Sequence, residues 1–361
     1  MLSGSYLPND VTFLLKEINI NSTSVEDKEI NIQKNKQHYS QMLTFEKAPA
    51  PEYMDLFYEC LQDNGLKFAE DICHLAHKIA KDYSKEKEIV IVSLARAGTP
   101  VGVLLKRYIE QILYKNTTHY CISIIRDVGI DINALTYILQ KHKDTSIVFV
   151  DGWTGKGVIG KQLKQSVLEF NNQNKTNISS NLYVVADISG TAYYGATYED
   201  YLLPSAILNS TISGLVSRTV YNTKYVAQED FHGCVIYHDL KEHDISNWFV
   251  DAVFHLIKTF CRHYMFVHNL ENDKQSLRDS SQNVIEFFKS TLNITDVNYI
   301  KPGIGESTRV MLRRVPQELW VRQLSQKNVE HLVYLAKNKG VPIYTKPDLA
   351  YHAVAIIKEL D

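Results

Sequence analysis

The chain has 361 residues, of which 45% are hydrophobic and 22% are charged, a composition typical of folded proteins and long enough for two hydrophobic cores. Its formal net charge of −2 argues against a protein whose whole surface coats nucleic acid. The five cysteines show neither metal-site spacing nor a disulfide framework, and no run reaches the roughly 18 apolar residues of a membrane span, so we expect a cytoplasmic protein without a membrane segment.

The order of predicted elements indicates an α/β protein. Residues 51–85 carry apolar side chains at helical spacing, which predicts one or two helices. From about residue 86 to 189, apolar β-rich runs alternate with helical segments, which is typical of a parallel sheet with helices on both faces. We predict one domain over residues 1–280, with this core and a cap formed by the N-terminal segment and residues 193–280. Residues 281–361 have their own alternation and predict a second, small α/β domain.

One loop follows a buried strand that ends on a carboxylate. The predicted strand stops at Asp151, and the chain passes Gly152, Thr154, Gly155 and Gly157 before a helical pattern begins. Glycine-rich backbone and the free N–H groups of a helix start favour a phosphate, beyond the carboxyl end of a parallel strand. The carboxylate suits sugar hydroxyls or a divalent cation, so the loop predicts a sugar-phosphate site. For this loop alone, a tight turn without a ligand is an equal alternative.

A second loop has the same strand, turn and helix pattern. The stretch "IVSLARAGTPVGVLL" places Arg96 at the turn and Gly98 at the helix entry. A forked guanidinium beside a helix N-terminus suits pyrophosphate. Because parallel strands end at the same sheet edge, the two loops together predict a ligand with two separated phosphate groups.

These loops carry a family resemblance. They resemble the pyrophosphate loop and the phosphoribosyl pyrophosphate (PRPP) loop of type I phosphoribosyltransferases. The stretch "LARAG" is similar to the corresponding loop of uracil phosphoribosyltransferases. The stretches "GSYLPNDVTFLLK", "SIIRDVGID", "FVDGWTGKG" and "STISGLVSRT" resemble the phosphoribosyltransferase-like family encoded with bacterial stress and tellurite-resistance systems. Some members of that family carry the label StiP cysteine protease. The loop after Asp151 is shorter than usual, and Gly157 stands where a hydroxyl is expected.

The resemblance implies a type I phosphoribosyltransferase-like fold and a function. It implies transfer from PRPP, assisted by Mg²⁺, to an unidentified base, nucleoside-like or RNA-linked acceptor. The implied catalytic residues are Asp151, Arg96, Arg126 and Asp127, and for Arg126 and Asp127 an ordinary surface ion pair is an equal alternative. The implied PRPP-binding residues are Ala97, Gly98, Thr99, Gly152, Thr154, Gly155, Lys156 and Gly157. A substrate cap is implied at Ser213, Ser217 and Arg218, and no residue is assigned directly to a metal.

The C-terminal segment carries a second resemblance. The run "KPGIGESTRVMLRRVPQELWVRQL" and the residues after it resemble the pelota-like and archaeal ribosomal kink-turn-binding family, in which a Gly-x-Asn-Glu-x-Thr-Lys stretch contacts RNA. The resemblance implies RNA binding at Gly303, Gly305, Glu306, Thr308, Arg309 and Arg313. Gly305 replaces the asparagine, which removes a base-reading amide. A solvated basic helix face is the alternative.

Two other functions remain open on the sequence. One is a non-catalytic regulator that binds RNA and senses PRPP or a nucleotide. The other is a cysteine protease, for which Cys234 is the best candidate because His232 and His238 share its face of a strand-like run. A buried structural cysteine is the commoner situation. The oligomeric state is open, a homodimer included.

A group of histidines and aspartates lies near that cysteine. Its members are His232, His238, Asp239, His243 and Asp244. They lack the regular histidine spacing of a zinc site, so structural or surface roles are favoured over metal binding.

Overall fold

The structure is a computed structural model that describes residues 2–207, 214–260 and 274–360. Within these ranges the helices are α1 (Val25–Gln33), α2 (Pro51–Asp82), α3 (Gly98–Gln111), α4 (Ile132–Leu139), α5 (Val158–Asn174), α6 (Pro204–Ile207), α7 (Ser246–Phe260), α8 (Lys274–Leu292), α9 (Ile304–Arg313) and α10 (Glu330–Asn338). The strands are β1 (Thr12–Phe13), β2 (Lys16–Glu17), β3 (Ile89–Leu94), β4 (Thr117–Ile122), β5 (Ile124–Ile125), β6 (Gly129–Ile130), β7 (Ile147–Trp153), β8 (Leu182–Ala186), β9 (Tyr194–Thr197), β10 (Gly233–Cys234), β11 (Ile300–Pro302), β12 (Pro316–Val321), β13 (Ile343–Thr345) and β14 (Ala353–Ile357).

The N-terminal domain is built on a parallel sheet of six strands in the order β1-β4-β3-β7-β8-β9. Every residue of β3 is buried, as expected for a strand covered on both faces. Buried residues of α2, α3 and α7 pack with one face, and those of α4 and α5 pack with the other. The predicted parallel sheet with helices on both faces is therefore confirmed.

The helix over residues 51–85 is one continuous element rather than two. Pro51 occupies its first turn, where a missing N–H costs nothing, and buried side chains recur along one face as far as Ile79. The N-terminal segment does not lie apart from the core, because β1 forms an edge strand of the central sheet and β2 pairs with β10.

The C-terminal domain has a four-stranded sheet in the order β11-β14-β12-β13. Strand β14 is antiparallel to both of its neighbours and wholly buried. The predicted C-terminal α/β unit is thus present. Helix α8 runs across residue 280, so the chain passes the predicted boundary inside a helix. Among the helices of the described ranges, none has both the length and the apolar character that crossing a bilayer requires.

Polar side chains join the two domains. Asp200 accepts hydrogen bonds from the Ile304 N–H at 2.9 Å and the His352 N–H at 2.8 Å, which caps the start of α9. From the other side, Glu29 of α1 accepts a two-pronged ion pair from Arg314, and its side chain is fully buried. These bonds hold α9 against the carboxyl edge of the parallel sheet.

Candidate functional site

A cleft of 270 Å³ lies between the two domains, where the loop after β7 faces α1, α9 and β11. We call it the interdomain cleft. Eight cationic side chains line it: Lys28, Arg126, Lys156, Arg218, Lys301, Arg309, Arg313 and Arg314. The carboxylates that line it are Asp151, Asp296 and Glu306. The excess of positive charge in a concave site favours an anionic ligand.

Internal hydrogen bonds hold the loop after β7 in place. Thr154 is buried and donates to Asp187 Oδ1 at 2.7 Å, so its hydroxyl is engaged within the protein. Gly157 has a φ of 75°, and a Cβ there would lie 2.7 Å from Thr191 Cγ2. Only glycine fits that position without strain. The loop therefore presents Gly155 and Lys156 to the cleft with little freedom of its own.

The second predicted loop contributes little to the cleft. Arg96 is 6% exposed, and its guanidinium donates to the Val216 carbonyl at 2.7 Å and pairs with Glu46. Thr99 is buried with its hydroxyl 3.2 Å from Cys121 Sγ. Ala97 lines the cleft, whereas Arg96, Gly98 and Thr99 do not. The forked cation expected to hold pyrophosphate is thus already occupied by protein groups.

Of the remaining predicted site residues of the N-terminal domain, only some reach the cleft. Arg126 and Arg218 both line the cleft, with their guanidinium carbons 5.3 and 5.6 Å from the centre of the Tyr39 ring. Asp127 is exposed beside Arg126, while Ser217 is fully buried and donates to the Arg218 carbonyl at 2.7 Å. Ser213 lies outside the described residues.

Several of the predicted RNA-binding residues of α9 and its start contact the N-terminal domain. A Cβ at Gly305 would lie 2.6 Å from Trp153 Cε2, and a Cβ at Gly155 would lie 2.9 Å from Glu306 Cγ. Arg309 pairs with Glu306 at 2.9 Å. The others have structural partners: Gly303 packs near Ile188, Arg313 pairs with Glu46 at 2.7 Å, and Thr308 is buried. The glycine in place of asparagine therefore has a packing reason, because the indole of Trp153 fills that space.

Several cleft residues carry no signal in the sequence that would have identified them. They are Lys28, Tyr39, Trp153, Lys301 and Arg314. Lys301 stands two residues before the glycine-rich motif, and Arg314 follows Arg313 in its basic run. Closeness in sequence to the predicted RNA-binding motif is therefore the only sign that points to these two residues. Lys28 and Tyr39 come from the polar N-terminal segment, where no pattern distinguishes them from surface residues.

Poor solvation shifts the ionisation of the cleft side chains. Desolvation raises the pKa of Asp151 to about 7, because ionising it places a charge where water is scarce. Desolvation lowers the pKa of Lys28 and of Lys301 to about 7, and that of Lys156 to about 8. A bound anion would supply the countercharge that these lysines lack.

The cleft does not fit the magnesium ion expected with PRPP. Magnesium prefers oxygen ligands, among them negatively charged carboxylates that are free to coordinate it. Asp151 accepts from the Gly152 N–H at 2.8 Å, and Glu306 is paired with Arg309. These two carboxylates therefore already have partners, and the cationic side chains around them would repel a metal ion. In the parts of the chain that the structure describes, no group of three or more His, Cys, Asp or Glu side chains is arranged to hold a metal.

The cysteine predicted as a nucleophile is not paired with a histidine. Cys234 is fully buried, and burial raises the pKa of its thiol. The His232 ring is bonded instead to Ser123 Oγ at 2.8 Å, and His238 lies 3.6 Å from Glu17. Cys73 and Cys121 are also buried, and Cys261 lies outside the described residues.

Cys60 has a different setting. It lines a second cavity of 240 Å³, which we call the α2–α10 cavity, together with Asn64 and His331. Cys60 Sγ donates to the Leu202 carbonyl at 3.5 Å, and Asn64 Nδ2 lies 3.8 Å from the sulfur. His331 is 1% exposed, and its Nδ1 has no hydrogen-bond partner among the described residues. A cysteine and a histidine with an unpartnered ring nitrogen therefore line the same cavity.

Comparison with known proteins decides the family. Residues 4–254 match the model of a family described as tellurite-like stress resistance cysteine protease StiP. The chain belongs to the StiP family. Residues 279–359 match the model of the PELOTA RNA binding domain. The protein named cysteine protease StiP from Acinetobacter baylyi is 37% identical over 371 residues, which cover 99% of this chain and 94% of that protein.

Solved structures are more distant from this StiP-family chain. A hypoxanthine phosphoribosyltransferase from Trypanosoma cruzi is 12% identical, covers 50% of this chain and 85% of its own, and has a TM-score of 0.29. A sphingosine-1-phosphate lyase from Burkholderia pseudomallei is 10% identical, covers 80% of this chain and 74% of its own, and has a TM-score of 0.23. Neither likeness is close enough to carry an argument about function.

These findings correct the main functional prediction. PRPP-dependent phosphoribosyl transfer is wrong as the primary function, because the family model and the Acinetobacter protein are both described as cysteine proteases. The assignment to a phosphoribosyltransferase-like family is likewise unsupported. The StiP label, the link to tellurite-type stress resistance and the pelota-like C-terminal domain are confirmed.

Proposed function

We propose that this StiP-family chain is a cysteine-dependent peptidase whose nucleophile is Cys60 and whose base is His331. The names of the family and of the Acinetobacter protein support the reaction class. One observation supports the residues: Cys60 and His331 line the same cavity, and the buried Nδ1 atom of His331 has no hydrogen-bond partner among the described residues. Cys73, Cys121 and Cys234 line neither this cavity nor the interdomain cleft.

Hydrogen bonding sets the tautomer of His331. The Thr308 hydroxyl donates its one hydrogen to the Ile304 carbonyl at 2.8 Å, so at 2.7 Å from His331 Nε2 it acts as the acceptor. Nε2 therefore carries the proton, and Nδ1 has a free lone pair. A histidine oriented through one nitrogen with the other free is the arrangement of a general base.

The reaction follows from these groups. The Cys60 thiol gives its proton to His331 Nδ1 as the sulfur attacks the peptide carbonyl carbon, which forms the S–C bond. The imidazolium returns that proton to the departing amine as the C–N bond breaks. Water then attacks the thioester, which releases the new carboxylate and restores the thiol. The Asn64 amide lies beside the sulfur and also donates to Asn328 Oδ1 at 3.2 Å, so it must turn from one of these partners to donate to the oxyanion.

In the resting structure the pair is neutral. Burial raises the pKa of Cys60 to about 12 and lowers that of His331 to about 3. Cys60 must leave the Leu202 carbonyl and turn towards the imidazole before the proton can move. Low thiol reactivity without a bound peptide follows from this arrangement.

Replacement of Cys60 by serine tests the assignment. We expect peptide hydrolysis by the purified full-length chain to fall at least about 1,000-fold, because the hydroxyl lacks the nucleophilicity of the thiol. His331→Gln is expected to cause a comparable loss. The assay is release of fluorescence from a mixed quenched-peptide library.

Cys234→Ser is the matched control, since it removes another buried thiol and should leave hydrolysis unchanged. Full activity of Cys60→Ser would overturn the assignment of the nucleophile. If only Cys261→Ser abolished hydrolysis, the peptidase function would stand and its nucleophile would lie outside the described residues. Hydrolysis by the wild type that no thiol replacement affects would exclude a cysteine peptidase.

RNA binding is the second function that we propose. The match of residues 279–359 to the PELOTA RNA binding domain supports it, and so does the cationic lining of the interdomain cleft. Lysine and arginine contacts to phosphates supply most of the affinity of such proteins. Because the cleft combines cations of both domains, we expect the full chain to bind RNA.

The pKa values of the cleft predict how RNA affinity depends on pH. As pH rises through 7, Asp151 gains a negative charge and Lys28 and Lys301 lose positive charge. All three changes weaken anion binding, while the arginines keep their charge. We expect affinity measured by fluorescence anisotropy to fall roughly 10-fold from about pH 6 to about pH 8.5. Asp151→Asn should flatten the curve, and stronger binding at high pH would contradict this explanation.

A further inference from the structure

Much of the RNA-contacting face implied for the pelota-like domain is turned towards the N-terminal domain, although the Arg309 side chain on it is 50% exposed. Gly305 of α9 packs against Trp153, and Glu306 packs against Gly155. Arg313 on the same helix pairs with Glu46 of the N-terminal segment. An RNA that contacts Gly305, Glu306 and Arg313 must therefore enter the interdomain cleft.

The size of the cleft limits what can enter. A volume of 270 Å³ is far too small to enclose a segment of A-form duplex. Its volume suits about one nucleotide, close to the lower end of the roughly 300–1,000 Å³ of small-ligand sites. Proteins read single-stranded RNA by taking unstacked nucleotides into such pockets, whereas they bind duplexes through broad surfaces.

The charges inside suit a phosphate. Lys28 is 6% exposed and projects into the cleft from α1, and Lys301 faces it from β11. Neither lysine forms an ion pair with any residue that the structure describes. The arginines nearby are largely matched by Glu29, Glu46 and Glu306. Lys156 and Arg218 also form no ion pair with the described residues, but each donates to a backbone carbonyl, Lys156 to that of Val297 and Arg218 to that of Tyr39 at 2.7 Å. The side chains of Lys28 and Lys301, one from each domain, have neither an ion pair nor a hydrogen bond among the described residues.

An aromatic ring is also available for a base. Tyr39 lines the cleft, and the guanidinium groups of Arg126 and Arg218 lie close to its ring centre, at 5.3 and 5.6 Å. Aromatic rings and guanidinium planes are the surfaces on which proteins stack single-stranded bases. The His38 ring also packs against Tyr39, with ring centres 4.5 Å apart, so a base that stacks in the cleft must displace one of these groups or stack on a guanidinium plane.

We propose that the interdomain cleft binds the phosphate-bearing end of a single-stranded RNA, with the phosphate held between Lys28 and Lys301. The inference rests on the RNA-binding function proposed above and specifies its ligand. It differs from binding of a folded, double-stranded RNA motif on an exposed α9. Both domains contribute to the site, so the C-terminal domain is incomplete without the N-terminal one.

Fluorescence anisotropy with the full-length chain tests the proposal. The probes are an internally labelled RNA strand of about ten nucleotides with a terminal phosphate, the same strand with hydroxyl ends, and a blunt duplex of the same sequence. We expect the phosphorylated strand to bind about 10-fold more tightly than either other probe. The double variant Lys28→Met/Lys301→Met should lose this preference. The slope of the logarithm of its binding constant against the logarithm of salt concentration should become shallower by about 0.7 for each phosphate that the variant no longer neutralises.

Lys337→Met is the matched control, because it removes an exposed lysine of α10 that does not line the cleft. Thermal melts confirm that each variant is folded. Equal binding of the duplex, with no effect of the double variant, would overturn the cleft proposal but leave RNA binding intact. Failure of every RNA probe would overturn both. Equally tight binding of a free nucleoside monophosphate would replace RNA by a small ligand.

Discussion

Replacement of Glu29 by alanine is expected to lower the free energy of unfolding by about 3 kcal/mol. The Glu29 side chain is fully buried, and both of its oxygens accept from Arg314, across the junction of α1 and the C-terminal domain. Removing the carboxylate leaves the guanidinium beside other cations in the cleft with no countercharge. The measurement is urea denaturation of the full-length chain.

Glu29→Gln is the control for shape, since it keeps the side-chain volume and one acceptor oxygen, and we expect a smaller loss. Glu26→Ala on an exposed position of the same helix should have little effect. A stability unchanged within error would show that the ion pair does not hold the domains together.

Replacement of Gly305 by alanine should destabilise the protein by about 1–3 kcal/mol, opposite in sign to the usual effect of this change within a helix. The added Cβ would lie 2.6 Å from Trp153 Cε2, so the indole or α9 must move. The position lies in the first turn of α9, and displacement of the helix start would also disturb its bonds to Asp200. Urea denaturation again reports the change.

A double-mutant cycle with Trp153→Ala separates the clash from helix propensity. Once the indole is removed, Gly305→Ala should become neutral or stabilise the chain by about 0.5 kcal/mol. The same destabilisation in both backgrounds would mean that contact with Trp153 is not the reason for glycine here. The corresponding Gly305→Asn change, which introduces the residue typical of the pelota motif, should be at least as costly as alanine.

The two candidate sites share an element. Helix α9 supplies Arg309 to the interdomain cleft, and through Thr308 it orients His331 at the α2–α10 cavity. Both sites therefore depend on how the C-terminal domain docks against the N-terminal one. The Glu29 and Gly305 variants test that docking directly.

Local pattern was sufficient to predict the core. A parallel strand buried on both faces must be apolar at nearly every position, so the runs at β3, β7 and β8 could be recognised from the sequence. The glycine-rich loop after Asp151 could be placed at the sheet edge for the same reason. The StiP and pelota resemblances could also be recognised from the sequence, because their motifs are continuous in the chain.

The partners of charged side chains could not be predicted in this way. Arg96 has the sequence context of an anion-binding arginine, but Glu46 reaches it from a segment without any recognisable pattern. Cys234 and its neighbouring histidines share a strand face, but each histidine has another partner. Sequence spacing identifies which side chains lie near one another locally and does not show which contacts burial and hydrogen bonding will satisfy.

The sequence by itself thus determined the parallel α/β core, the second α/β domain and the family, since each depends on residues close together in the chain. Only the tertiary structure decided that Lys28 and Lys301 face one cleft, that Cys60 and His331 share a cavity, and that Trp153 requires Gly305. Each of these pairs joins segments far apart in the sequence. Their proximity arises when the two domains dock, through ion pairs and close packing that no local periodicity encodes.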